Sequence, residues 1–246
     1  LLISLAWLAA AAASANFTSA TLSSADVRLA NLSSATMANA NLSSALLNTA
    51  TLTGATLTWA NLLGANLGSA NLTGANLTSA TLTGANLTGS VVGSANLGST
   101  TARGFTLAQL YSTASYQIHD LTGINLQSNT LVGAELSSAN LRSTILANAN
   151  LATANLRASN LSLSNLSGAN LASDDLREAD LTSANLSSAA LSGANVAGAN
   201  FTAANLTGAN LAALNLRSAR LSRADLTRAN LTTADLSTAN LTTATL

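Results

Sequence analysis

The chain has 246 residues, nine Arg, no Lys, nine acidic residues and a net charge of zero, with only 7% charged residues against about 25% in an ordinary globular domain. That balance excludes a basic nucleic-acid footprint and an acidic decoy. Without Cys there is no disulfide framework and no cysteine metal site, and 3% aromatic residues are too few for a conventional core; the apolar content is Ala and Leu, set at fixed phases.

Residues 1–14 open the chain within the run LLISLAWLAAAAASA, which ends at Ala15. They read as an Ala/Leu-rich cap on the repeats that follow, or as the remnant of a secretory signal with Ala13-Ser14-Ala15 as the small-residue cleavage site. The run is shorter than the ~20 residues that cross a bilayer, so no membrane span is expected.

From Ala15 a five-residue frame holds through residue 99. Its first position falls on 15, 20, 25 and onward to 95, and is Ala in each unit except at Ser90. Its third position runs Phe17, Leu22, Val27, Leu32, Met37 and onward to Leu97, apolar in all seventeen units. The second position is mostly Asn or Thr. A period of five fits neither a helix nor a simple strand. A short repeat carrying one small and one large apolar residue points to a solenoid. If each unit is one side of a coil, Ala and Leu point inward and the other three positions point out. Four sides then close a turn of about twenty residues, and turns stack at ~4.8 Å as paired strands do. Leu67, Leu72 and Leu77 are expected to line that axis, with Leu166, Leu171 and Phe201 doing so further on.

The pattern resembles that of the pentapeptide-repeat family over roughly nine-tenths of the chain. The resemblance implies an all-β fold, a right-handed quadrilateral β-helix, here with one helical interruption.

That interruption covers residues 100–123. Thr106 to Gln117 reads as a helix. Thr106 and Gln109 form a T-x-x-Q capping box, and Leu107, Leu110, Tyr111 and Ala114 share one face. The helix is expected to lie against the solenoid or between two stacks of it. His119 beside Asp120 has no nucleophile spaced to complete a catalytic set, so both are read as structural. The LYSTASYQ run also resembles an interruption in some exported bacterial pentapeptide-repeat proteins, which implies an extracellular or cell-surface location.

A second block, 124–246, resumes at Ile124-Asn125-Leu126, four residues out of phase with the first. All twenty-five of its third positions are apolar, including Val196 and Phe201. Its first position departs from Ala at Ile124, Asn129, Thr144, Ser159, Ser164, Asp174 and Leu214. The forty-two units of both blocks make about ten coils, roughly 50 Å of stack.

Asp174 is the one inward position carrying a charge, a costly placement unless hydrogen-bonded. It is expected to accept backbone N–H groups at a corner. With Asp175, Arg177 and Glu178 it makes a cluster too poor in ligands for a metal site. Arg157, Arg177 and Arg217 share a phase of twenty and fall on one side, while Arg220, Arg223 and Arg228 crowd the last coils. These six are solvated ion pairs or a docking patch for a partner. The thirteen Asn-x-Ser/Thr sequons arise from the repeat itself and argue little for glycosylation. No Ser/His/Asp, Cys/His or paired-carboxylate set appears. The expectation is a non-enzymatic scaffold with no catalytic residue, metal, cofactor, nucleic-acid partner or small-molecule substrate. The last residues, Ala244-Thr245-Leu246, stop mid-repeat without a polar cap. That suggests end-to-end self-association into a filament or surface layer, or a segment of a longer chain. A second expectation is a rod whose flat Asn/Thr/Ser faces bind a polysaccharide or ice. A third comes from the resemblance, since some family members mimic DNA and bind gyrase. Those are strongly acidic and dimerise through a C-terminal helix, and neither feature is present in this sequence.

Overall fold

The computed structural model describes residues 12–246. The expected cap or signal remnant over residues 1–14 therefore lies, except for Ala12 to Ser14, outside the described residues. The chain forms two compact units, Leu1–Asn125 and Leu126–Leu246, each built by one local rule.

Within each unit the chain returns to the same side every twenty residues. Parallel bridges join Asn41 to Asn61 and Asn61 to Thr81 in the first unit, and Asn140 to Asn160 and Asn160 to Asp180 in the second. Four five-residue units complete one turn. The bridges are single residues, so the β character lies in the ladder between coils and not in continuous strands. One unit shows every bond in that ladder. The Leu42 N–H donates to the Asn61 carbonyl at 2.8 Å, the Ser44 N–H to the Leu63 carbonyl at 2.8 Å, and the Asn61 N–H back to the Ala40 carbonyl at 2.9 Å. The Ala45 N–H closes the corner on the Leu42 carbonyl at 3.0 Å.

That corner forces the fifth residue of each unit into the left-handed region. Ser24, Ser44, Leu29, Trp59, Leu163 and Glu178 all hold φ between 55 and 62°. Such a conformation costs an L-residue roughly 1–2 kcal/mol. The cost is borne at one position in five because the three inter-coil bonds per unit fix the backbone there.

Inside, the third-position residues stack. Leu67, Leu72, Leu77, Leu166, Leu171 and Phe201 are all fully buried, as are the first-position Ala65, Ala70 and Ala169. Alternating a methyl with an isobutyl group fills the axis without aromatics.

The interruption lengthens one turn and keeps part of the ladder. Asn76 bridges to Asn96 at the usual interval, but Asn96 bridges to Asn125, twenty-nine residues on. Nine extra residues displace a five-residue frame by four, which is the phase change between the two blocks. The extra chain forms a 3-10 turn (Thr101–Arg103), helix α1 (Leu107–Ser112) and helix α2 (Ala114–Gln117). The capping box is present at the start of α1, with Thr106 Oγ1 accepting the Gln109 N–H and Gln109 Oε1 accepting the Thr106 N–H. The single helix expected over 106–117 is instead divided at Thr113. Breaking there turns the backbone toward the coil, so that the Gly89 N–H reaches the Ser112 carbonyl and the Ala114 N–H the Ser90 carbonyl, both at 2.8 Å. Thr113 then starts α2 by accepting the Tyr116 N–H. Gln109 Nε2 donates to the carbonyls of Leu82 and Ala85 at 2.8 Å each, and Ser115 Oγ accepts the Val92 N–H at 3.0 Å. Of the expected helical face, Leu110 is buried while Leu107, Tyr111 and Ala114 are half-buried. Phe105, Leu110 and Leu121 take interior places in this turn. The repeat backbone is already restored at Asp120 to Gly123, one unit before residue 124.

Two expectations follow. Leu72→Ala removes a fully buried side chain and should lower stability by about 2–5 kcal/mol, whereas Thr88→Ala, on the exposed face, should change it by less than about 0.5 kcal/mol; urea unfolding of both variants compares them. Gly104→Ala should cost clearly more than Gly74→Ala in thermal unfolding. Both hold positive φ, but a Cβ on Gly104 would lie 2.6 Å from the Thr83 Cα, while one on Gly74 meets nothing within 4 Å.

Candidate functional site

The outward positions are not free polar decoration. Second-position Asn and Asp side chains fold back onto their own units throughout the coils. Asn71 Oδ1 accepts the Thr73 N–H at 3.0 Å and the Thr73 hydroxyl at 2.6 Å, and Asn200 does the same to Thr202 at 3.1 and 2.6 Å. These are Asx turns, the short-range bonds for which Asn and Asp are suited. The Asn amide nitrogen also reaches along the stack: Asn170 donates to Asn150 at 2.9 Å and Asn86 to Asn66 at 3.1 Å. Sequence reasoning placed this residue outside but missed its work. The signal was present, in the recurrence of Ser or Thr two residues after Asn.

Where Asp replaces Asn and Arg takes the fourth position, the turn becomes a clasp. Asp175 accepts the Arg177 N–H at 3.1 Å, its Nε at 2.8 Å and its Nη2 at 2.5 Å. Asp26 and Arg28 repeat the arrangement in the first unit. The guanidinium holds each carboxyl below its ordinary range, first through the side-chain hydrogen bond.

The six arginines singled out from the sequence divide into two sets. Arg157, Arg177 and Arg217 do fall on one side of the second unit, spaced by multiples of twenty. Arg157 pairs with Glu178 at 2.9 Å, Arg177 with Asp175 at 2.5 Å and Arg217 with Asp235 at 3.5 Å. Such exposed pairs are screened by solvent and contribute little to stability. Arg220, Arg223 and Arg228 are exposed, and among the described residues none of the three is in an ion pair. His119 and Asp120 are not brought into a catalytic arrangement. His119 is a corner residue with φ 57°, and Asp120 Oδ1 accepts the Thr122 N–H and hydroxyl in an ordinary Asx turn. Among the described residues no group of three or more His, Asp or Glu could hold a metal ion, and no helix is long and apolar enough to cross a membrane.

Asp174 accepts backbone N–H as expected, but its second oxygen and its titration depart from expectation. It occupies an Ala position, 1% exposed. One carboxyl oxygen accepts the Ala154 N–H at 3.0 Å, but Oδ2 has no partner. Burial pushes the carboxyl up from 3.8 to about 8, and the N–H groups of Ala154 and Thr153 only partly oppose it. Burial thus favours the protonated acid over the carboxylate that the sequence suggested.

These are the features of one protein class, a coil of five-residue sides with an apolar axis and Asx-turn corners. The chain belongs to the pentapeptide-repeat family. The family model for pentapeptide repeats matches eight copies, over residues 13–48, 50–89, 120–157, 134–172, 159–196, 184–223 and 204–242. Among solved structures the chain is similar to HetL, a pentapeptide repeat protein involved in heterocyst differentiation regulation from Nostoc sp. strain PCC 7120. That match is 31% identical, covers 94% of this chain and 89% of that one, and has a TM-score of 0.35. A pentapeptide repeat protein of Cyanothece 51142 is 30% identical over 52% of this chain and 92% of its own, with a TM-score of 0.31. QnrB1, a plasmid-mediated fluoroquinolone resistance protein, is 17% identical over 81% of this chain and 88% of its own, with a TM-score of 0.42. No curated protein matches the chain.

The Asp174 environment predicts a pH dependence with a definite sign. Its folded value, about 8, lies above the unfolded one, 3.8. Between those pH values the unfolded chain has lost the proton and the folded chain keeps it. Stability should therefore fall as pH rises from about 4 to about 8 and level off above, by on the order of several kcal/mol. Asp174→Ala, which restores the repeat, should remove that slope and be the more stable protein at pH 8; urea unfolding at pH 5 and pH 8 measures both.

Proposed function

We propose that the chain is a non-enzymatic scaffold, a right-handed four-sided coil that acts by presenting surface rather than by chemistry. One observation carries this reading. Second-position Asn and Asp side chains are committed to Asx turns, inter-coil ladders and clasps, the axis is lined mainly by Ala and Leu, and among the described residues no group of His, Asp or Glu is gathered into a metal-binding cluster.

End-to-end self-association extends the reading. In the coil over residues 227–246, Leu231, Leu236 and Leu241 are only half-buried and Leu246 is 76% exposed. That face fits one further coil, which would bury the leucines and take up the amides. A further stretch of polypeptide or a second copy would serve alike. Arg220, Arg223 and Arg228, exposed at this end, would flank the joint or dock a partner beside it.

Electron microscopy of the purified chain, with light scattering for mass, tests the stacking. Filaments built of coils at ~4.8 Å spacing are expected. Discrete particles of single-chain mass at all concentrations would overturn self-association and leave the scaffold reading to binding assays on the flat faces.

A further inference from the structure

One side of the second unit breaks the rule that the coils around it obey. Among its described residues, third-position amides from Leu126 to Leu226 each donate to the next coil, with the sole lapse at Val196. Fifth-position amides from Ser128 to Arg223 do the same, with lapses at Gly193 and Gly198. Second-position amides from Asn150 to Thr245 each donate to the preceding coil, with lapses at Asn215 and Arg220. All five lapses lie along one seam, between residues 193–198 and the segment one coil on. The bridges Asp175–Asn195 and Asn215–Asp235 are present, but none joins Asn195 to Asn215. On either flank the ladder is closed, by Leu191 on Asn210 at 3.1 Å and Phe201 on Arg220 at 2.8 Å. The seam opens into a cleft of about 340 Å³ lined by Gly193 to Ala197 and Ala213 to Asn215.

The sequence supplies a cause at that spot. At twenty-residue intervals the same inward corner is occupied by Ala134, Ala154, Asp174, Ala194, Leu214 and Ala234. Leu214 is buried, 2% exposed, at a corner where Ala is the usual residue. Its extra carbons must go somewhere in a close-packed stack. Its own carbonyl still accepts the Asp235 N–H at 2.9 Å, so the displacement lies toward Ala194. There Val196 stands where the other third positions of this unit, Phe201 apart, have Leu, and Ala194 is 7% exposed against 1% for Ala154.

We infer that Leu214 is a wedge that holds one side of the second unit open, leaving a solvated main-chain seam at which this unit opens first. Unpaired main-chain groups in the seam are left to water, and each bond missing there is one that local opening need not break.

Hydrogen exchange of the whole chain, read by NMR, tests this. The amides of Gly193, Val196, Gly198, Asn215 and Arg220 are expected to exchange at least about a hundredfold faster than those of Leu186, Phe201 and Leu206. Leu214→Ala, which restores the repeat and so should fold, is expected to bring the five within about tenfold of their neighbours. Five amides as slow as their neighbours in the unaltered chain would overturn the seam. Five amides still fast in Leu214→Ala would overturn the wedge, and so would closure by Val196→Leu where Leu214→Ala does nothing, since the underfilled axis would then be the cause.

Discussion

The ladder of main-chain hydrogen bonds between coils is the constraint from which the rest follows. It requires that the chain come back to the same side after a fixed number of residues, and so that each unit turn a corner at its fifth residue. It explains why Trp59, Leu163 and Glu178 accept a left-handed backbone that Gly would hold more easily. It also governs the interruption. The nine extra residues before Asn125 do not detach from the coil. Their two short helices are arranged so that the amides of Leu82, Gly89, Val92 and Ser94 still find acceptors, in Arg103, Ser112, Ser115 and Thr122. An insertion that left those donors buried and unpaired would cost about 1–3 kcal/mol for each.

The same constraint sets what the surface can do. A solenoid of this kind presents its second and fourth positions side by side at coil spacing, and those positions are spent on satisfying the corners. Asn serves because its oxygen accepts within the unit while its nitrogen donates to the preceding coil, as at Asn170. Asp serves when Arg or Thr supplies the donors, as at Asp175 and Asp180. Polarity here is structural before it is functional. That supports reading the molecule as a scaffold whose partners meet a regular surface, not a site.

Departures from the repeat are informative because the repeat is so strict. Asp174 and Leu214 stand in one corner column, two coils apart. The first puts an acid where nothing neutralises it, and the second puts bulk where there is no room. Each is a local violation that the surrounding ladder is strong enough to hold.

Composition and period by themselves determined the family, the inward and outward positions, the broken frame and the capping box of Thr106 and Gln109, because a unit of five is too short to hide its pattern. They also marked Asp174 and Leu214 as exceptions. Only the tertiary structure decided what those exceptions do. The protonation of Asp174 depends on whether its second oxygen meets a donor in the coil above or below, and the seam at Leu214 depends on Val196 and Ala194 lying one coil away. The division of the predicted helix at Thr113 was likewise decided by Gly89 and Ser90, to which its backbone had to bond. Such contacts join residues twenty or more apart, and a pattern read five residues at a time carries no record of them.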